Sequence, residues 1–266
     1  MTRAPAFRGV LGLALLLTAC GTASEPEAAH SPSGAGSSRE GLAGELSVFA
    51  AASLADAFED IADAFEAAHP DVRVRANVAG SHTLARQIHE GASADVFASS
   101  SVEQMAVVEQ AGNVADAPEV FAVNRLAIAV ELGNPRDIGG LAGLAHPDLI
   151  VVLPAPEVPA GAYARQALDA AGVALTPASL AYDVRAALAT VMLGEADAAL
   201  VYASDVVAAD GRVEGVDIAP EDNVTATYPI APLAGAANPE AAQAFVAFVH
   251  GPQAQAILAD HGFTSP

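Results

Sequence analysis

The sequence contains no lysine and no tryptophan, and its single cysteine is Cys20. One cysteine excludes an intrachain disulfide and any cysteine-based metal centre. Without lysine, the basic side chains are 11 arginines, set against 32 acidic residues for a net charge of −21. A phosphate backbone requires a basic surface, so nucleic acid is excluded as a partner. No Walker-type phosphate loop is present, and ATP hydrolysis is not expected of this chain. Charged residues make up only 16% and aromatic residues 5%, while hydrophobic residues reach 53%. That balance is too apolar for a disordered chain. Alanine fills many of the apolar positions and favours helices. The 266 residues suffice for two lobes of ordinary domain size.

The first forty residues read differently from the rest. Arg3 and Arg8 precede a near-continuous apolar run from Gly9 to Ala19. Its length and order are those of an export signal, and it is short for a bilayer-spanning helix. The run ends in Leu17-Thr18-Ala19-Cys20-Gly21, which resembles a bacterial lipobox. The resemblance implies cleavage before Cys20 and lipid on its thiol and new amino terminus. Residues 1–19 are then the signal peptide and residues 20–43, rich in Gly, Ser, Pro, Ala and Glu, a flexible tether. The expected location is extracytoplasmic, anchored to the cell membrane through Cys20.

From residue 45 the pattern is that of an α/β protein. Alternation predicts strands at 45–50 and 72–76, and a short buried strand at 94–98; helices are predicted at 54–68, 83–90 and 101–111. Pro70 stops the first helix. This β-α-β-α-β order calls for parallel strands covered by helices. After Asn124-Arg125 a new apolar strand begins at Leu126, followed by strands at 149–153, 197–202 and 212–219 with helices at 161–171, 181–193 and 204–209. Tyr228 to Leu233 returns through an apolar stretch, and the end is helical over 238–250 and 252–260. The break near 124 and the return near 229 predict two lobes: 44–124 plus 230–266, and 125–229. Two crossings make a hinge, with a ligand cleft between the lobes.

Five places could hold ligand chemistry. Phe49-Ala50-Ala51-Ala52-Ser53-Leu54 runs from a strand through small residues into a helix. Ser53 could serve that helix as an N-cap, or face a ligand. A helix N-terminus offers unpaired N–H groups and the positive end of a dipole, which suits an oxyanion. Val78-Ala79-Gly80-Ser81-His82-Thr83 repeats the arrangement with Ser81. His82 has no partners at metal-ligand spacing. Val158-Pro159-Ala160-Gly161 and Tyr182-Asp183-Val184-Arg185 open two more helices, where Ala160 and Val184 could contribute only backbone N–H groups. Asp183 and Arg185 suit loop organisation or a bridge between lobes. Tyr202 ends the apolar strand Ala199-Leu200-Val201-Tyr202, where its ring could pack or its hydroxyl could reach the cleft. Together these elements offer neutral donors and no cluster of basic side chains. Aligned dipoles can hold a fully ionised anion without a formal countercharge.

The segments FAAASL (49–54), SHTLARQIHEGASADVFASS (81–100), VPAGAYARQAL (158–168), DVRAAL (183–188), ALVYASD (199–205) and GPQAQAILADHGF (251–263) resemble the periplasmic molybdate-binding proteins of ABC transporters. The similarity spans about 45–263. It implies a two-lobed periplasmic-binding fold of type II, with parallel-rich sheets flanked by helices. It also implies a bound molybdate or tungstate, no cofactor and no enzymatic activity. The family's binding positions fall on Ser53, Ser81, Ala160, Val184 and Tyr202, which would meet the metal only through the oxyanion. The implied partners are an ABC permease and its ATPase, and the protein is expected to be a monomer. His82 departs from the family, where a small residue is usual. Sulfate is the nearest competing ligand, separated by its shorter bonds to oxygen. Ser53, His82 and Asp95 supply the residue types of a hydrolase, but no nucleophile-elbow sequence accompanies them. An adhesion or assembly module would instead require an exposed apolar patch.

Overall fold

A computed structural model describes residues 41–266. The signal peptide at 1–19, the lipidation of Cys20 and nearly all of the 20–43 tether lie outside the described residues. Among the described residues no helix is long and apolar enough to cross a membrane.

Among the described residues there are nine strands and eight α-helices. The first half runs β1 (Gly44–Ala51), α1 (Ala55–Ala68), β2 (Val72–Ala79), α2 (Ser81–His89), β3 (Val96–Ala98) and α3 (Val102–Gln110). A long strand β4 (Glu119–Val130) leads into β5 (Val151–Pro154), α4 (Pro159–Ala170), β6 (Ser179–Ala181) and α5 (Val184–Met192). Then follow β7 (Ala198–Tyr202), α6 (Ala203–Ala208), β8 (Glu214–Asp217), β9 (Thr225–Pro232), α7 (Pro239–Val249) and α8 (Pro252–Asp260). The strand order is β2-β1-β3-β9-β4-β7-β5-β6, with β8 paired to β4.

The expected parallel pairs are present in both halves: β1 with β2 and β3, and β5 with β6 and β7. Periodicity did not reveal what joins them. Every pairing made by β4 and β9 is antiparallel, so the sheet is mixed. The reason is topological. The chain leaves the first half along β4 and returns along β9, and adjacent strands running in opposite directions pair antiparallel. β4 is also longer than the predicted strand at 126–130. Its first part, Glu119–Arg125, pairs with β9, and Leu126–Val130 pairs with β7 and β8. The polar pair Asn124-Arg125 therefore lies inside one continuous strand at the handover between halves.

The core follows from the apolar periodicity. Helix α1 buries Ala57, Phe58, Ile61 and Phe65, a face repeating every three to four residues, and ends before Pro70. Phe58 meets Phe121 and Phe245, and Tyr228 packs edge-on against Phe121 and Phe263. Edge-to-face contacts of this kind contribute roughly 0.5–1.5 kcal/mol each beyond their area. They join α1, β4, β9, α7 and the carboxyl-terminal segment in one core.

Candidate functional site

Each predicted ligand position lies where a strand gives way to a helix. Ser53 sits in a short 3-10 turn, Ala52–Leu54, between β1 and α1. Ser81 is the first residue of α2, Ala160 the second of α4 and Val184 the first of α5. Tyr202 closes β7 and precedes α6. The structure brings all five around one small cavity, with Ser100 beside them. All are buried, with Ser81 and Tyr202 fully enclosed. The space they surround admits the centre of a water-sized sphere over only ≈ 10 Å³, about the room one water needs. Larger surface grooves exist, such as one of ≈ 580 Å³ lined by Asp116, Glu119 and His250, but no helix N-termini converge there.

The hydroxyls are not spent on helix capping. Ser101 performs the ordinary capping role for α3, accepting from the N–H groups of Glu103 and Gln104 at 3.2 and 3.3 Å. Neither α1 nor α2 has a side-chain cap. The Ser53 hydroxyl instead lies 2.8 Å from the Tyr228 hydroxyl. Ser81 Oγ accepts from the Ser100 N–H at 3.0 Å and lies 3.1 Å from Ser100 Oγ.

The opposite wall uses backbone. First-turn N–H groups have no partner within their own helix. Pro159 opens α4 with the dihedral a helix needs, leaving the Ala160 N–H exposed to the cavity side. Gly161 allows this approach, because a Cβ there would overlap the carbonyl oxygens of Ala155 and Pro154. Asp183 caps α5 by accepting from the Ala186 N–H at 2.7 Å, which leaves the Val184 N–H unused by the cap.

Tyr202 completes the ring. Its N–H donates to Asp205 Oδ2 at 2.9 Å, while its hydroxyl, fully buried at the cavity, has no well-aligned partner. Burial, reinforced by the neighbouring Tyr228, pushes its pKa well above the ordinary value, so it stays a donor. An unpaired buried hydroxyl costs about 1–3 kcal/mol, a cost that an anion accepting from it would remove.

Among the described residues no basic side chain lines the cavity. Arg185 on α5 is committed elsewhere. Its guanidinium bonds Asp56 on α1, approaches the Ala52 carbonyl at 3.4 Å, and pairs with buried Asp205 at 3.3 Å. Arg185 thus ties α5 to α1. Burial pushes the Asp205 carboxyl up to about 6, with Arg185 opposing. His82 does not line the cavity. Its Nε2 lies 3.1 Å from Thr83 Oγ1, its Nδ1 is buried without a partner, and burial lowers its pKa. Asp95, the third residue of the hydrolase alternative, is committed elsewhere: it accepts from the N–H groups of Ser47 and Asn238 at 2.7 and 3.0 Å.

Sequence reasoning did not assign a role to Ser100, which lines the cavity, or to Tyr228, which bonds Ser53 from behind it. Ser100 belongs to a serine triplet after a buried strand, which was the available signal. Tyr228 looked like one more apolar position in a return strand.

A small cavity between two halves, ringed by helix N-termini and neutral donors, defines a binding protein for a small solute. The chain belongs to the bacterial extracellular solute-binding protein family, matched over residues 46–264. That family is non-catalytic and works outside the cytoplasm. The chain is 40% identical to the molybdate-binding protein ModA of Mycobacterium tuberculosis, across 94% of this chain and 93% of that protein. It is 37% identical to ModA of Escherichia coli, across 83% and 89%. The periplasmic molybdate-binding protein of Azotobacter vinelandii shares the fold, with a TM-score of 0.74 at 19% identity over 83% of this chain and 99% of that one. The sulfate-binding protein SubI of M. tuberculosis also shares it, with a TM-score of 0.72 at 23% identity over 83% and 86%. The architecture is accordingly the two-lobed α/β periplasmic-binding fold, with a mixed sheet.

Proposed function

We propose that this protein binds molybdate or tungstate outside the cytoplasmic membrane and delivers it to an ABC permease driven by its ATPase. The observation that carries the reading is the unpartnered, fully buried Tyr202 hydroxyl facing a cavity ringed by Ser53, Ser81 and the starts of α4 and α5. These groups can all donate to an oxyanion, and none carries a formal charge. A buried ion needs its hydrogen bonds satisfied, and aligned helix dipoles supply the compensating field. The sequence relatives named as molybdate-binding proteins supply the ligand.

In this reading Ser53, Ser81 and Tyr202 donate through hydroxyls, and Ala160 and Val184 through N–H groups. The lobes, 44–124 plus 230–266 and 125–229, hinge at β4 and β9. Anion binding shifts an open–closed equilibrium towards the closed form, with Arg185 and Asp56 clasping across the cleft. The monomer is tethered to the membrane by lipid on Cys20. Sulfate is the second reading, since it presents the same tetrahedral charge with shorter bonds.

Thermal unfolding of the unlipidated body tests this. Molybdate at 1,000 times its dissociation constant should stabilise the fold by about 4 kcal/mol. An unchanged midpoint with molybdate and tungstate at millimolar concentration overturns the proposal.

A further inference from the structure

A serine hydroxyl has one proton and two lone pairs. It binds an oxyanion only when the proton points at the ligand; a lone pair in that direction repels it. Something must therefore set the direction of the Ser53 hydroxyl. Its contact is the hydroxyl of Tyr228 at 2.8 Å, contributed from 175 residues further along the chain.

The proton order in that contact follows from what surrounds Tyr228. The residue is fully buried, and its ring is held edge-on by Phe121, Tyr202 and Phe263 at centroid distances of 6.3, 5.8 and 5.3 Å. Asn124, on β4, is the neighbouring polar side chain. Its Oδ1 already accepts from the Arg125 N–H at 2.8 Å, and its Nδ2 donates to Ser204 Oγ at 2.8 Å. Its Nδ2 keeps a second N–H, and a hydrogen bond from Asn124 opposes the burial-driven rise of the Tyr228 pKa, so Asn124 meets the phenol as a donor. Among the described residues Ser53 Oγ is the acceptor in reach of the Tyr228 proton. If Ser53 donated instead, that buried phenolic proton would be stranded, at the cost of an unmade hydrogen bond.

We propose that Tyr228 is a positioning residue: it donates to Ser53 Oγ and so turns the Ser53 proton into the cavity. This rests on the oxyanion reading of the site. Ser81 Oγ accepts from the Ser100 N–H at 3.0 Å and has the Ser100 hydroxyl at 3.1 Å. The Ser53 hydroxyl then faces the ligand as a donor, which favours fully ionised anions. Desolvation raises the Tyr228 pKa far above the ordinary value, so the phenol keeps its proton at neutral pH.

The test is a double-mutant cycle in the full chain without its signal and lipid, with molybdate titrated calorimetrically. Tyr228→Phe removes one oxygen and keeps the packed ring. It should weaken binding about tenfold, equivalent to about 1.4 kcal/mol. Ser53→Ala should weaken it at least as much, and the double variant should bind no more weakly than Ser53→Ala alone. Unfolding of the ligand-free variants verifies that each is folded; should Tyr228→Phe fail to fold, Asn124→Asp supplies the second route, since it replaces the donor at Tyr228 with an acceptor that draws the phenolic proton away from Ser53. That variant should also weaken binding only when Ser53 is present. Unchanged affinity in both variants, or losses that multiply with Ser53→Ala, overturns the proposal. If the unsubstituted protein binds molybdate tightly in that outcome, only the role of Tyr228 falls; if it binds none, the oxyanion reading falls with it.

Discussion

The wall bearing Ser53 and Ser81 and the wall bearing Ala160 and Val184 face the same cavity with different equipment. The first uses hydroxyls held by Tyr228 and Ser100. The second uses backbone at the first turns of α4 and α5, and its side chains are apolar. Hydroxyl donors can be deleted by changing a side chain. Backbone donors survive any substitution except proline. The contrast also concerns charge: a protein of net charge −21 can hold an anion because neither wall depends on a cation. Global charge affects the rate of encounter, and local donors determine the affinity.

The largest effect should come from the hydroxyl wall. Replacing Ser53 and Ser81 together by alanine removes two hydrogen bonds to a charged ligand, at about 1.5–3 kcal/mol each. Molybdate affinity should fall by roughly 100-fold or more. Retained helical circular dichroism would establish that the fold survives. The backbone wall is broken by Val184→Pro. Proline is tolerated at the first helical position, and Asp183 before it is already extended, with φ −153° and ψ 176°. Val184→Ala shortens the same side chain and keeps the N–H. Titration should find the proline variant about tenfold weaker than the alanine variant, the scale of one charge-assisted bond. Equal affinities would remove Val184 from the donor shell.

A smaller effect concerns Asp205, the buried partner of Arg185. Asp205 has its folded pKa raised from 3.8 to about 6, by burial first, with Arg185 and the Tyr202 N–H opposing and Asp183 and Asp56 adding to the rise. The folded state therefore holds this proton more tightly than the unfolded chain. The resulting stability is complete below 3.8 and is lost as pH rises through about 6. Urea unfolding should find the parent protein losing stability relative to Asp205→Asn across that window, then running parallel above it. Curves parallel throughout would contradict the assignment. The smallest effect should be at His82, which is outside the cavity lining. His82→Ser should change molybdate affinity at neutral pH by less than about threefold, under 1 kcal/mol.

The helix starts were legible because Ser, Pro-Ala-Gly and Asp-Val-Arg each follow an apolar strand and precede a periodic helix. The parallel pairs were legible for the same local reason. The long antiparallel strands were not, because pairing Glu119 with Ile230 is a relation between distant segments that no window contains. Strand β6 escaped notice because it is only Ser179–Ala181, with Leu180 half exposed at the sheet edge. Tyr228 escaped because its chemistry exists only in the contact with Ser53. A tyrosine among apolar neighbours gives no sign that its hydroxyl governs a serine far away. The fate of the Ser53 hydroxyl was likewise undetermined in the sequence, where capping and ligand binding use the same residue type.

The most direct measurement is calorimetric titration of the unlipidated protein with molybdate, tungstate, sulfate and phosphate under one buffer and ionic strength. The donor-only cavity predicts one site per chain that disfavours protonated phosphate, and the molybdate-binding relatives predict molybdate and tungstate bound more tightly than sulfate. Absence of binding by all four would contradict the oxyanion account, and equal affinity for sulfate and molybdate would contradict the selectivity assigned to it.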